Sequence, residues 1–183
     1  MNLIGRICIE LIANSMRMNR FDPFKTISRT FRVWPHDIDL NIHLTASRYF
    51  SFADLSRIAW MAENNVAWHF LFKGFRGVVN AQEITYIREF RPFSRVIMES
   101  NLICWDKKYA YFEQRFYCKD ALYAIAHVRM AIIYKKEIRS IDYFFQHLGH
   151  HLESPGETEV ISDWKETLKA KRRQFEGHSR GFN

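Results

Sequence analysis

Apolar and polar positions alternate with a period of two along five stretches of this chain, and along one stretch the period lengthens to about 3.6. The first alternating stretch runs from Lys25 to Val33. It sets Ile27, Phe31 and Val33 against Ser28, Thr30 and Arg32, with Arg29 breaking the apolar side once. Trp34-Pro35 ends that strand, because proline has no N–H for a ladder. Next comes a polar loop, then a helix that Thr45 can cap and that runs to Asn64 without Gly or Pro. Tyr49, Phe52, Ala53, Ser56, Ala59 and Trp60 share one face of it. Phe50, Leu55, Ile58 and Met61 carry the apolar cover round most of the rest, which predicts a buried helix. Asp54 and Arg57 stand three apart and can pair. Val66 to Arg76 is rich in rings and reads as a lid, a pocket wall or core. Period two then returns over Val78–Phe90, Val96–Trp105, Tyr109–Cys118 and Leu122–Tyr134. The short turns between them favour an antiparallel meander. The expectation is α+β: five strands around one long helix.

The ends read differently. Leu3 to Met16 is amphipathic, with Arg6 and Glu10 opposite Ile4, Ile7, Cys8, Leu11 and Ile12. It fits a helix packed on the domain or one lying on a membrane surface through residues 3–16. Ile138–His151 suggests a short helix, Glu153–Asp163 a loop, and Trp164–Phe175 a polar, basic helix. The expected divisions are an N-terminal helix over 1–20, the main domain over 24–137 and a helical extension over 138–183.

Composition narrows the class. A chain of 183 residues, 48% apolar and 16% aromatic, is globular, and its 16 phenylalanines need a large core, a greasy pocket or a partner surface. A net charge of +7 favours anionic ligands: nucleic acid, anionic lipid or a phosphate-bearing carrier such as coenzyme A. Three scattered cysteines, Cys8, Cys104 and Cys118, lack metal-ligand spacing and fit a reduced, cytoplasmic setting. No run reaches the roughly 18 apolar residues of a membrane span, and no signal-type cleavage site is evident.

The loop carries the candidate chemistry. His36, Asp37, Asp39, Asn41 and His43 crowd into Trp-Pro-His-Asp-Ile-Asp-Leu-Asn-Ile-His-Leu, directly before the helix. Polar, titratable groups beside a buried helix cost stability unless they are satisfied or used. Asp-Ile-Asp-Leu-Asn-Ile-His-Leu, with Tyr49 six residues after His43, resembles the signature of acyl-thioester hydrolases of the 4-hydroxybenzoyl-CoA thioesterase type. Asp39-x-Asn41-x-His43 is also similar to the motif of plant acyl-carrier-protein thioesterases. Arg91-Pro92-Phe93 and Leu102 to Phe116 resemble the thioesterase-superfamily-member-six-like branch. The resemblance covers about Thr30 to Tyr134 and implies a hotdog fold, in which a five-stranded antiparallel sheet wraps one long central helix. It departs from the family pattern at Ile42, where a glycine is usual, and at Thr45 and Ala46, where two asparagines are usual.

The resemblance implies a thioester hydrolase acting on an acyl-CoA or acyl-carrier thioester, with no metal or redox cofactor. Asp39 would be general base or nucleophile, Asn41 would orient water or substrate, and His43 would fix Asp39 or polarise the carbonyl. Each also has a structural reading, as a cap, a left-handed turn residue and a backbone-bonded histidine. Backbone N–H groups around Leu44, Thr45 and Ala46 would form the oxyanion site. Phe50, Trp68, Phe70 and Phe72 are candidates for the acyl groove. His36 and Asp37 read more readily as loop-ordering, Tyr49 as core or interface, and Glu83 as a second carboxylate reaching a partner's site. The fold also implies a homodimer, with a tetramer left open. Rival readings are a non-catalytic acyl-binding or interaction module and a hydratase on the same fold. The histidines at 147, 150 and 151 lack a completing ligand, and the basic run from Lys165 to Arg173 lacks interleaved aromatics, so a surface cluster and a solvated face fit better than metal or nucleic acid. Neither a glycine-rich phosphate loop nor a nucleophile elbow occurs.

Overall fold

The computed structural model describes residues 21–178. The amphipathic stretch expected over 1–20, with its membrane-surface reading, lies outside the described residues. In chain order the elements are β1 (Ile27–Arg32), a single 3-10 turn (Pro35–Asp37), α1 (Ala46–Glu63), α2 (Ala67–Phe72), β2 (Phe75–Tyr86), β3 (Arg95–Trp105), β4 (Tyr109–Cys118), β5 (Ala121–Tyr134), β6 (Glu137–Arg139), α3 (Ile141–His147) and α4 (Glu159–His178). The sheet is antiparallel in the order β1-β3-β4-β5-β2, and β6 adds to the end of β5. The architecture is the expected hotdog, α+β. The sixth strand is a three-residue return that period-two reading is too coarse to find.

Two differences concern boundaries. The ring-rich stretch after α1 divides into a short helix and the first residues of β2, since Gly74 turns the chain at a φ of 79°. The helix expected from Trp164 begins at Glu159, where the Thr158 hydroxyl receives the Ile161 N–H at 3.4 Å. The loop composition ahead of it concealed the first turn.

The inner face of the sheet closes on α1. Phe52, Ala53, Leu55 and Tyr49 pack with Val96, Met98, Phe116 and Ala126 near its start. Ala59 and Trp60 pack with Leu102, Phe112, Val128 and Ile132 near its end. Ala53, Ser56 and Ala59 are fully buried, and their small size lets backbone meet sheet. Bulges at Asn80, Ile103 and the Phe116–Tyr117 step add the local twist that a curled sheet needs. Phe144 and Phe145 of α3 cap the core beside Trp60, and Ile161 and Trp164 of α4 cover Cys104 and Tyr111 on the outer face. Burial pushes the Cys104 thiol up to about 11, so it acts as packing and not as a nucleophile.

One polar network interrupts this core. Arg57 is buried and donates from Nη1 to Gln114 Oε1 at 2.8 Å, while Nη2 pairs with Asp54. Gln114 Nε2 donates to the Ala53 carbonyl at 2.9 Å and to Ser100 Oγ at 2.7 Å, and Ser100 Oγ meets Ser56 Oγ at 2.8 Å. Burial holds the Arg57 pKa below its ordinary value, against the pull of Asp54. Gln114→Leu keeps the volume but strands a buried guanidinium N–H and the extra bond on Ala53. It is expected to cost about 3 kcal/mol, read as a lower urea midpoint at unchanged slope.

Candidate active site

The loop before α1 is folded by its own hydrogen bonds. The Trp34 N–H donates to Asp37 Oδ2 at 2.9 Å, and the Asp37 N–H donates back to the Trp34 carbonyl at 2.8 Å. Arg48 Nε stands 3.0 Å from Asp37 Oδ1, an ion pair without the alignment of a hydrogen bond. Asp37 is only 1% exposed, and its carbonyl accepts the Thr45 N–H at 3.0 Å. It ties strand end, loop and helix start together. His36 Nε2 lies 3.5 Å from the same carboxylate on the solvent side.

Asp39 begins a tight reversal. Its N–H donates to the His43 carbonyl at 3.0 Å, the Ile42 N–H donates to its carbonyl at 3.1 Å, and Ile38 bridges Leu44. Leu40, Asn41 and Ile42 form the tip, and Ile42 takes a φ of 60°. A three-residue reversal places its last residue in the left-handed region, where glycine fits and a β-branched side chain is strained. This is the position at which the family pattern has glycine.

The reversal forms one wall of a cleft of about 690 Å³. Asp39, His43, Leu44, Ala46 and Tyr49 line one side; Tyr86, Ile87, Arg88, Glu89 and Arg91 line the other. The far wall is held in place because the N–H groups of Ile87 and Arg88 both donate to the Tyr123 carbonyl, at 2.8 and 3.0 Å. The two walls are joined where the Leu44 N–H meets the Phe90 carbonyl at 2.8 Å. Within the cleft, Asp39 Oδ1 accepts the Asn41 N–H at 2.9 Å and lies 3.3 Å from His43 Nδ1. Asp39 and His43 are about equally exposed, at 31% and 30% of their side chains. Tyr49 is buried edge-on against Tyr86, and burial pushes its hydroxyl up to about 12 although the Phe90 N–H draws it the other way. It stays a neutral donor at any physiological pH.

Of the expected oxyanion donors, those of Leu44 and Thr45 are already engaged, by Phe90 and Asp37. The N–H groups of Ala46 and Ser47 have no acceptor among the described residues, and Ala46 lines the cleft. The sequence-derived groove does not assemble here. Phe70 lines a narrow apolar crevice with Trp60, Met61, Phe112 and Phe144, between α1, the sheet and α3. Trp68 and Phe72 face solvent, and Phe50 lines neither space. Asn41 is exposed at the loop tip. Glu83 sits on the outer face of β2, 3.4 Å from His127 Nδ1, whose Nε2 lies 3.4 Å from Glu113. Sequence reading missed the whole 86–91 wall. The cations Arg88 and Arg91 beside Pro92 were the available signal.

Ile42→Gly is expected to raise stability by about 1 kcal/mol, because relief of left-handed strain exceeds the added freedom of the unfolded chain. Thermal and urea unfolding read the sign.

Residues 33–166 match the family model described as the thioesterase-like superfamily. The chain is 36% identical over 97 residues to Protein THEM6 from Xenopus laevis, covering 52% of this chain and 46% of that protein. It is 28% identical over 105 residues to the probable thioesterase YBR096W of Saccharomyces cerevisiae, covering 57% and 46%. The matched region is thus about half the length of these curated relatives. Among solved structures, a 1,4-dihydroxy-2-naphthoyl-CoA thioesterase from Synechocystis superposes with a TM-score of 0.60 at 12% identity, over 69% of this chain and 99% of that one, a likeness of fold. The matched span holds the polar loop, the helix it enters and the strands β2 to β6, and the chain belongs to the thioesterase-like superfamily.

Proposed function

We propose that this protein hydrolyses acyl thioesters carried by coenzyme A or a carrier protein, with the cleft beside α1 as its active site. The observation that carries this reading is the meeting of a half-exposed carboxylate, an imidazole 3.3 Å from it and an unpaired helix-start N–H in one cleft. Asp39 Oδ2 has no partner among the described residues. It takes a proton from water as the oxygen attacks the thioester carbon, or it attacks that carbon itself. The Ala46 N–H, at the positive end of α1, donates to the developing oxyanion. On the first route the C–S bond breaks and the thiolate takes the proton held by Asp39. On the second the thiolate leaves, water hydrolyses the acyl-Asp39 anhydride, and the thiolate takes a proton from that water. Either way acid and thiol leave. His43 orients Asp39 through Oδ1. Arg91 stands 3.7 Å from Glu89, and Arg88 leaves the far wall with a net positive charge that a phosphate-bearing carrier would meet.

The same reading gives the protein a partner in a second copy. β2 is a twelve-residue edge strand with Val78 and Val79 exposed, at 37% and 38%. A long apolar edge is covered in stable proteins. Pairing β2 with its symmetry mate would bring the partner alongside the 86–91 wall, which continues from that strand.

Thiol release from a panel of acyl-CoAs is the direct test. Asp39→Ala is expected to lower kcat/KM at least a hundredfold, within the usual range for loss of an acid–base group. Binding of acyl-CoA without thiol release above the alanine variant would replace this reading with that of an acyl-binding module. For the edge, sedimentation is expected to show a dimer, and Val78→Lys with Val79→Lys is expected to yield monomers.

A further inference from the structure

We propose that the outward face of α2, formed by Trp68, Leu71 and Phe72, is a docking surface for an anionic phospholipid bilayer. The helix is only six residues long, and its two faces have opposite fates. His69 and Phe70 turn inward, where Phe70 packs 5.2 Å from Phe144 and His69 lies near Phe75. Trp68, Leu71 and Phe72 fall at positions i, i+3 and i+4, on one stripe. They are 54%, 55% and 69% exposed, and the Trp68 and Phe72 rings stack on one another at 4.9 Å. Neither ring lines the cleft or the apolar crevice. Three large apolar side chains side by side in water mark a contact surface rather than scattered exposure.

The charges around this face identify what it meets. Lys73 follows the helix directly, and Arg76 is the second residue of β2. Lys135 and Lys136 form the β5–β6 turn, and that turn is close by: Tyr134 stacks on Phe75 at 4.4 Å, and a side chain at Gly74 would lie 3.9 Å from the Tyr134 ring. All four cations are exposed, and none pairs with a carboxylate among the described residues. Glu137, the acidic residue of the same turn, is held by Arg139 at 2.6 Å. Aromatic rings with unpaired lysines and arginine around them match a bilayer interface, where Trp sits at headgroup depth and each nearby cation gains from anionic lipid. An acidic protein partner would need no stacked rings at the centre. A greasy one would not favour a rim of cations.

Co-sedimentation of the full chain with vesicles separates the outcomes. Phosphatidylcholine vesicles are compared with vesicles containing phosphatidylserine, at low and high salt. Binding is expected only with phosphatidylserine and is expected to weaken with salt. Lys135→Glu with Lys136→Glu removes two favourable contacts and is expected to weaken binding at least about thirtyfold. Trp68→Ser with Phe72→Ser is expected to weaken it more than tenfold, with the urea midpoint reporting that the fold is kept. As a second readout, vesicles with brominated acyl chains should quench tryptophan emission in the wild type and not in Trp68→Phe. Wild-type binding by Trp68→Ser/Phe72→Ser would overturn the proposal, because another segment would then hold the membrane. So would failure of the wild type to bind any vesicle. A drop in sedimenting mass in the same variant would also overturn it and give this face to a second copy.

Discussion

A helix that is apolar on nearly every side has no stripe to tell it which way to face, and α1 is such a helix. Hydrophobic burial alone would accept several rotations of it under the sheet. The Arg57–Gln114–Ser100–Ser56 network accepts one. It needs Gln114 from β4 and Ser100 from β3 beneath the same helical turn, together with the carbonyl of Ala53. A buried guanidinium left without these partners would be very costly, so rotation and register are chosen together. The direction in which the helix start points, and hence where the loop before it can lie, follows from that choice.

The loop then separates two aspartates that stand two residues apart. Asp37 is enclosed, held between the Trp34 N–H and Arg48, and ties the loop to the first turn of α1. Asp39 carries only the local bond from Asn41 and the approach of His43, and stays half open to the cleft. One carboxylate makes the structure that leaves the other available. The strained Ile42 belongs to the same reversal: it closes the turn that presents Asp39 and His43 on one side. Loss of the family's asparagine pair at Thr45 and Ala46 leaves this arrangement standing, because the donor offered to the cleft is the main chain of Ala46.

The outer side of the molecule is divided as well. α4 covers the part of the sheet that carries Cys104, Tyr111 and Ala81, with Ile161, Trp164 and Leu168 turned inward. Beside it the face is polar, and Glu83, His127 and Glu113 form a row across β2, β5 and β4. Hydrogen bonding to His127 and then the charge of Arg115 hold Glu113 below the usual carboxylate range, in spite of its burial. This row joins three strands on the outer face, and none of its residues lines the cleft of the same chain.

Local pattern was enough for much of this. Alternation marks β1 to β5, because a sheet with one buried face writes its period into the sequence, and the apolar cover round most of α1, with no Gly or Pro inside it, marks a helix buried against that sheet. The crowding of Asp37, Asp39 and His43 marked the loop that forms one wall of the cleft, since such groups seldom gather by chance beside a core helix. Other features are absent from any local window. Arg48 reaches Asp37 eleven residues away, Tyr123 holds the 86–91 wall, and Phe90 captures the Leu44 N–H, which local pattern leaves free for an oxyanion. The four rings expected to line one groove scatter to three places, because aromatic content records the need for burial or contact and not its location. Composition and period decide which residues leave water; which of them meet is decided only when helix and sheet settle on one register, and the far wall of the cleft is made at that step.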